Sequence, residues 1–207
     1  MADHKDWVAK HHSPRAQMLV ETIKSLEGQI ASAKRDLEKE EEKLWLLDGD
    51  GENLEALVKK FFVALGCTIE PPKKDAPFSF VAKDPHMGHQ LTVKVLATEG
   101  KFDKDSKALG ELLGYVPDYF DHNANGPVEH ICVVVNTFKD QPTDKRSKDD
   151  IGQAVLKVAK ANQFALARTT DLHLLWGDLD SNGRKPLEIF DTLFASNGVV
   201  EYKLPKV

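Results

Sequence analysis

The chain has 207 residues, of which 41% are hydrophobic, and a formal net charge of -5 at pH 7. This length suffices for one domain with a substantial core and an additional segment. The acidic balance excludes a chain-wide basic surface for nucleic acid, although a local basic patch is compatible with it. No apolar run approaches the ~18 residues of a membrane span, and the first residues lack a secretory apolar stretch. We therefore expect a cytoplasmic protein without a membrane partner.

The two cysteines, Cys67 and Cys132, each lie within an apolar stretch of the sequence. Such positions are typical of small buried hydrophobic side chains. We predict that neither residue forms a disulfide or a metal site.

Residues 1–13 form a predicted polar tail, and a helix is predicted to begin where Ser13 can cap it and Pro14 can occupy its first position. Apolar residues then alternate at intervals of four and three, which is the heptad pattern of a coiled coil. The stripe consists of Leu19, Ile23, Leu26, Ile30, Ala33, Leu37, Leu44 and Leu47, and Glu40 interrupts it. The predicted coiled-coil helix covers 14–48 and ends at the glycines 49 and 51.

This stripe could pack on its own domain or on a second copy of the chain. We favour a homodimer through residues 14–47, because the stripe is narrow and highly charged residues flank it. The predicted dimerisation contacts are Leu19, Ile23, Leu26, Ile30, Leu37 and Leu44. In a parallel pair Asp36 would repel Glu41 while Lys43 would attract Asp48, so parallel and antiparallel pairing both stay open.

Residues 52–207 show a different pattern, in which short buried strands alternate with amphipathic helices. The predicted order is a helix at 54–65, strands at 67–70, 78–82 and 90–97, a helix at 105–120, a strand at 130–136, a helix at 151–161 and a strand at 164–167. A short helix at 169–176, a helix at 186–196 and an edge strand at 199–204 would complete the domain. This order predicts an α/β fold with a mixed central sheet and a C-terminal helical extension.

The region from Glu52 to Trp176 resembles the PD-(D/E)xK restriction-endonuclease-like superfamily, especially the branch of type IV restriction enzymes and of bacterial proteins with an N-terminal coiled coil. The matching words are Leu54-Glu55-Ala56-Leu57-Val58, Val93 to Gly100, Leu112-Leu113-Gly114-Tyr115-Val116, Val133 to Asn136 and Phe164-Ala165-Leu166. The resemblance implies a restriction-endonuclease-like α/β/α domain and a role akin to bacterial defence.

Members of this superfamily cut phosphodiesters with a divalent metal, usually magnesium, held by an acid on each of two strands. The resemblance puts the first acid position at Ser79. The second acid and the catalytic lysine fall either at Lys94 and Leu96 or, after a shift of two, at Thr92 and Lys94. An additional helix glutamate of the family matches Glu55. Both alignments lack the acidic pair, so the resemblance implies a pseudonuclease that uses no cofactor.

A rescue hypothesis is that other acids have moved into the site and restored magnesium binding. The candidates besides Glu55 are Asp84, Glu99 and Asp103, each near the end of a predicted strand. Residues of this kind are more often solvated turn or cap residues.

Two further metal patterns are present in outline. His86 and His89 lie near Asp84 in a tight turn, but no third ligand follows at a suitable interval. The stretch from Asp178 to Gly183 matches half of a calcium loop, but Ile189 occupies the place of its bidentate acid. We predict ordinary turns at both places.

Three lysines follow the third predicted strand and, together with Lys94 on that strand, could surround the former active cleft. They are Lys101, Lys104 and Lys107. A cationic cleft without carboxylates would hold a phosphate-bearing ligand without cutting it, whereas the alternative is an ordinary solvated surface.

Three hypotheses about function follow. The first is a non-catalytic binding or assembly module that recognises a nucleic acid, another phosphate-bearing ligand or a protein. The second is a divergent metal-dependent DNA or RNA endonuclease, which would need magnesium. The third is a structural module that only docks proteins.

Overall fold

The computed structural model describes residues 13–84, 86, 88–122, 129–147 and 149–203, with the backbone alone for 115–122. The predicted polar tail lies outside these residues except for Ser13. The chain divides into two compact units, one that ends at Glu42 and one that begins at Lys43. Within the described residues, no helix has both the length and the apolar character that crossing a bilayer would require.

The first helix, α1, covers Pro14–Asp48. The Ser13 hydroxyl oxygen accepts a hydrogen bond from the Ala16 N–H at 3.2 Å, which confirms the predicted cap. The stripe residues are exposed along this helix: Leu19 is 55% exposed, Ile30 55% and Leu37 57%. The helix therefore presents a row of exposed apolar side chains that Glu40 interrupts.

The end of α1 depends on Gly49. The Gly49 N–H donates to the Trp45 carbonyl at 2.6 Å. A β-carbon on Gly49 would lie 2.5 Å from the same oxygen, so this close approach requires glycine. The sequence therefore predicted the stop correctly.

Lys43 and Leu46, near the end of α1, are buried in the second unit. The Lys43 ammonium contacts the Asp180 carboxylate and lies 5.8 Å from the centroid of the Trp176 ring. Lys43 is thus engaged within its own chain, whereas the heptad analysis placed it on a flank of the coiled coil opposite Asp48.

The second unit contains a six-stranded sheet with helices on both faces. Its elements are α2 (Gly51–Ala64), β1 (Thr68–Glu70), β2 (Phe80–Lys83), β3 (Gln90–Ala97), α3 (Lys107–His122), β4 (Glu129–Asn136), a 3-10 turn (Thr143–Lys145), α4 (Gln153–Ala161), β5 (Phe164–Arg168), α5 (Thr169–Asp180), α6 (Pro186–Phe194) and β6 (Gly198–Val199).

The strand order is β1-β2-β3-β4-β5-β6. β2 is antiparallel to β1 and β3, whereas β3, β4, β5 and β6 are mutually parallel. The register pairs Phe80 with Val93 and Lys94 with Val133. The sheet is therefore mixed, and the predicted α/β fold class is confirmed.

Two apolar clusters cover the two faces of the sheet. On one face, α2, α5 and α6 contribute residues such as Phe61, Leu175 and Phe190. On the other face, α3 and α4 contribute residues such as Leu112 and Val155. The core thus has three layers, because a sheet with parallel strands buries both faces.

Two elements near the C-terminus differ from the prediction. Helix α5 continues past Trp176 to Asp180, because Leu179 packs against the core and extends the apolar face by one turn. The predicted edge strand at 199–204 is reduced to the two residues of β6, and Leu204 lies outside the described residues.

Candidate functional site

Ser79, the position assigned to the first acid, lies immediately before β2 and beside β3. The Ser79 N–H donates to the Val93 carbonyl at 2.8 Å, and the Ser79 hydroxyl oxygen accepts from the Val95 N–H at 3.1 Å. Both the backbone and the side chain of Ser79 thus link β2 to β3. The side chain here offers a hydroxyl that is already hydrogen-bonded, not a carboxylate.

Thr92, Lys94 and Leu96 are the other positions that the two alignments assign to the second acid and the lysine. They share one face of β3, because successive strand residues point to opposite faces. Val93 and Val95 belong to the cluster under α2, so Thr92, Lys94 and Leu96 face α3 and α4. Thr92 is buried, and Leu96 packs against the apolar cluster on this face. The half-buried Lys94 makes no hydrogen bond or ion pair with any described residue.

These side chains do not fit a divalent cation. Magnesium prefers carboxylate and carbonyl oxygens, whereas the four positions supply two hydroxyls, one ammonium and one hydrocarbon group. Within the described residues, no group of three or more histidine, cysteine or acidic side chains could hold a metal ion.

The rescue candidates do not converge on one place. Asp84 is buried and follows β2, where its N–H bonds to His89 at the amino end of β3. Glu99 follows β3 at the other end and is exposed. The eight residues of β3 separate them by about 25 Å at the usual rise of about 3.3 Å per residue. A single ion therefore cannot join them.

Glu55 and Asp103 are engaged in local contacts. Glu55 on α2 accepts from the Lys59 ammonium at 2.7 Å, one helical turn away. Asp103 accepts from the Lys104 N–H at 2.7 Å. A β-carbon on Gly152 would lie 2.3 Å from Oδ1 of Asp103, so this carboxylate packs directly on the Gly152 backbone.

The predicted lysine group is divided among different surroundings. Lys101 donates to Asp149 at 2.6 Å, and Lys107 lies 3.7 Å from Glu111. Lys104 is exposed in the turn before α3. Lys94 alone of the four combines partial burial with the lack of a counter-ion among the described residues.

The residues of the two incomplete metal-binding patterns make other contacts. The His89 ring stacks on Phe194 with 4.3 Å between centroids. Asp178 accepts from the Tyr202 hydroxyl at 2.9 Å and pairs with Arg184 at 3.0 Å. His86 is exposed, and its N–H donates to Asp84 at 3.2 Å, as in a tight turn.

A polar network that was not predicted from the sequence lies at the carboxyl ends of β4 and β5. The side chain of Asn136 is fully buried there. Its amide oxygen accepts from Arg146 at 2.8 Å and from the Thr169 hydroxyl at 3.2 Å, while its amide nitrogen donates to the Gly49 carbonyl at 2.9 Å. One asparagine thus connects three separate segments of the chain.

Asp150 is the second centre of this network. The Thr137 hydroxyl donates to Asp150 at 2.8 Å, and Arg168 donates from Nε to both carboxylate oxygens at 2.9 Å. Arg168 also approaches Asp171 at 3.5 Å. Burial raises the pKa of Asp171, and the Arg168 charge opposes that change.

A cavity of about 410 Å³ opens beside this network, and we call it the strand-end pocket. It is lined chiefly by Thr143, Arg146, Ser147, Asp150, Arg168 and Thr170. The available sequence signal was that polar residues follow two buried parallel strands, since ligands often bind at the carboxyl ends of such strands.

The comparisons with known proteins support the fold. No family model matches the chain, and no match was found among curated proteins. Among solved structures, the restriction endonuclease FokI bound to DNA matches with a TM-score of 0.57 and 10% sequence identity. The match covers 77% of this chain and 30% of the FokI chain. This likeness shows a restriction-endonuclease-like fold over most of the chain.

Proposed function

We propose that this protein is a non-catalytic module with a nuclease-like fold that binds a phosphate-bearing ligand and forms a homodimer through α1. One feature carries the proposal: Lys94 lies on β3 at a position that the resemblance assigns either to the second metal-holding acid or to the catalytic lysine, and it has no counter-ion among the described residues. Ser79 and Thr92 beside it supply hydroxyls but no negative charge.

Electrostatics favours an anion at this place. A half-buried ammonium without a counter-ion among the described residues can pair with a phosphate, and their attraction is stronger in a partly buried place than in open water. The same charge repels a divalent cation. Both effects favour binding over metal-dependent cleavage.

The dimer is proposed from the pattern and the exposure of α1. Its apolar residues repeat at heptad intervals, and Leu19, Ile23, Leu26, Ile30, Leu37 and Leu44 are all at least half exposed. A second copy of the same helix would cover this row by knobs-into-holes packing. In this proposal 14–48 is the pairing segment and 52–207 is the binding domain.

We also propose that the chain belongs to the type IV branch of the superfamily and that it is located in the cytoplasm. The coiled-coil pattern ahead of the domain supports the assignment to the type IV branch. The two cysteines, which are buried and free, fit a reducing compartment and support the cytoplasmic location.

Plasmid DNA tests the catalytic part of the proposal. We expect no nicking when the protein is incubated with plasmid and either magnesium or manganese. Metal-dependent nicking that Asp84→Ala or Glu99→Ala abolishes would instead establish the divergent nuclease, which the similarity to FokI keeps as the second candidate.

Duplex DNA in a fluorescence-anisotropy titration tests the binding part. We expect Lys94→Glu to weaken binding about tenfold or more and to reduce its salt dependence. Lys157→Glu is the matched control, because Lys157 is exposed on α4. Equal affinity of both variants and the unchanged protein would remove Lys94 from the site. Complete lack of binding to DNA and inorganic phosphate would favour the protein-docking hypothesis.

A further inference from the structure

The strand-end pocket is lined by residues other than Thr92, Lys94 and Leu96 of β3, and its polar side chains differ from theirs. Its walls come from the ends of β4 and β5, the 3-10 turn and the start of α5. A volume of about 410 Å³ is within the range of small-molecule sites. Every residue that lines it belongs to the second unit.

Arg146 lines one wall of the pocket, and four hydrogen bonds hold its guanidinium in place. Its Nε donates to the Gln141 carbonyl at 2.8 Å, and its Nη1 donates to Asn136 at 2.8 Å. Its Nη2 contacts the carbonyls of Leu47 and Lys139. The guanidinium thus donates to neutral acceptors and forms no direct ion pair with a described residue, although the Asp48 charge acts on it.

Arg168 supplies donors that remain available. A guanidinium has five N–H groups. The hydrogen bonds among the described residues use Nε toward Asp150 and one Nη1 position toward Asp171. Asp150 accepts from Arg168 and Thr137 with both of its oxygens, whereas three of the five N–H groups of Arg168 have no acceptor among the described residues.

Hydroxyl groups and the start of helix α5 provide further hydrogen-bond donors. Thr143, Ser147 and Thr170 line the pocket. Helix α5 begins at Thr169 without a side-chain cap, so the N–H groups of its first turn lack that partner. The positive end of the helix dipole also lies here. The pocket therefore offers N–H groups of Arg168, three hydroxyls and the N–H groups of a helix start as donors, beside an Asp150 carboxylate whose oxygens already accept hydrogen bonds.

We infer that the strand-end pocket binds the terminal phosphate of a phosphate monoester. The guanidinium N–H groups of Arg168, the hydroxyls and the helix N–H groups together match the three acceptor oxygens of such a phosphate. The phosphate could come from a mononucleotide or from the phosphorylated end of a nucleic acid. This inference concerns residues other than Lys94 and does not depend on the proposed function.

Isothermal titration of the full-length protein with defined probes separates these sources. The probes are inorganic phosphate, adenosine monophosphate, adenosine, and one oligonucleotide with either a 5′-phosphate or a 5′-hydroxyl. We expect phosphate and adenosine monophosphate to bind and adenosine not to bind. Preference for the phosphorylated oligonucleotide over adenosine monophosphate would identify a nucleic-acid end as the source, and the reverse preference a mononucleotide.

Ser147→Asp tests the location of the phosphate. Ser147 is exposed, and its oxygen accepts from the Asp149 N–H at 3.2 Å, a bond that aspartate can keep. The added carboxylate should weaken phosphate binding about tenfold or more by repulsion. Asn197→Asp places the same charge on an exposed residue that does not line the pocket and should leave binding nearly unchanged.

Two results would overturn the inference. One is a failure of the unchanged protein to bind both phosphate and adenosine monophosphate at millimolar concentrations. The other is phosphate binding that Lys94→Glu removes and Ser147→Asp does not affect, because this would place the anion at β3. Thermal unfolding of each variant shows whether its fold is retained.

Discussion

Arg168 and Asp150 form a bifurcated hydrogen bond, in which Nε of Arg168 lies 2.9 Å from each carboxylate oxygen of Asp150. Arg168 ends β5, and Asp150 precedes α4. Asp150 is 4% exposed and also accepts from Thr137 at the end of β4. Asp150 thus connects the loop beside the strand-end pocket to the ends of β4 and β5.

Removal of this carboxylate should destabilise the fold. We expect Asp150→Ala to lower the free energy of unfolding by about 3 kcal/mol, because it leaves a mostly buried guanidinium without its main partner. Urea denaturation followed by circular dichroism measures the change. Asp149→Ala is the control, since its side chain is 70% exposed and its pair with Lys101 should contribute less than about 1 kcal/mol. Equal losses in the two variants would contradict the structural role of Asp150.

A charge placed in the α1 stripe should separate the proposed dimer. We expect the unchanged chain to sediment as a dimer and Leu26→Asp to sediment as a monomer, because a carboxylate at a core heptad position cannot be buried. Ser25→Asp adds the same charge on the outer side of the heptad and should leave the dimer intact. A monomeric unchanged chain would refute the coiled-coil hypothesis.

His130 should make stability depend on pH in the mildly acidic range. Burial lowers the pKa of His130, although the hydrogen bond from its ring to the Ser196 carbonyl at 2.9 Å acts in the other direction. The unfolded chain therefore binds this proton more readily than the folded chain does. Stability should fall as the pH drops below the unfolded pKa of about 6.5 toward the lower folded pKa.

His130→Gln should flatten this pH profile while the side chain can still donate to Ser196. Urea midpoints measured at several pH values between neutral and mildly acidic conditions report the difference. His86→Gln, which removes an exposed imidazole, provides the comparison. Identical profiles for His130→Gln and the unchanged protein would count against this assignment.

The cysteines should be unreactive until the protein unfolds. Burial raises the pKa of the Cys132 thiol to about 12, and burial with the nearby Asp84 charge raises that of Cys67 to about 12. Because the thiolate is the reacting form, a thiol reagent such as dithionitrobenzoate should label neither residue quickly at mildly alkaline pH. Both should react at once in guanidinium. Rapid labelling of either thiol in the folded protein would be inconsistent with this structure.

The sequence by itself determined the features that depend on neighbouring residues. The Ser13 cap, the heptad stripe of α1 and the bounds of β3 at Gln90 and Ala97 all follow from local spacing. Helical and strand periodicities are properties of short windows, so a single sequence reveals them. The α/β class also follows, because the order of elements restricts how they can form layers.

Tertiary structure alone decided which polar side chains meet. Asn136, Arg146 and Thr169 are separated along the chain and join only because parallel strands end at the same edge of the sheet. The sequence placed Lys43 on the flank of a coiled coil, yet it is buried beside Asp180. Contacts of this kind depend on strand order and on the packing of distant helices, and no local periodicity records either. For this protein, spacing determined the elements, whereas long-range packing determined where its charges are concentrated.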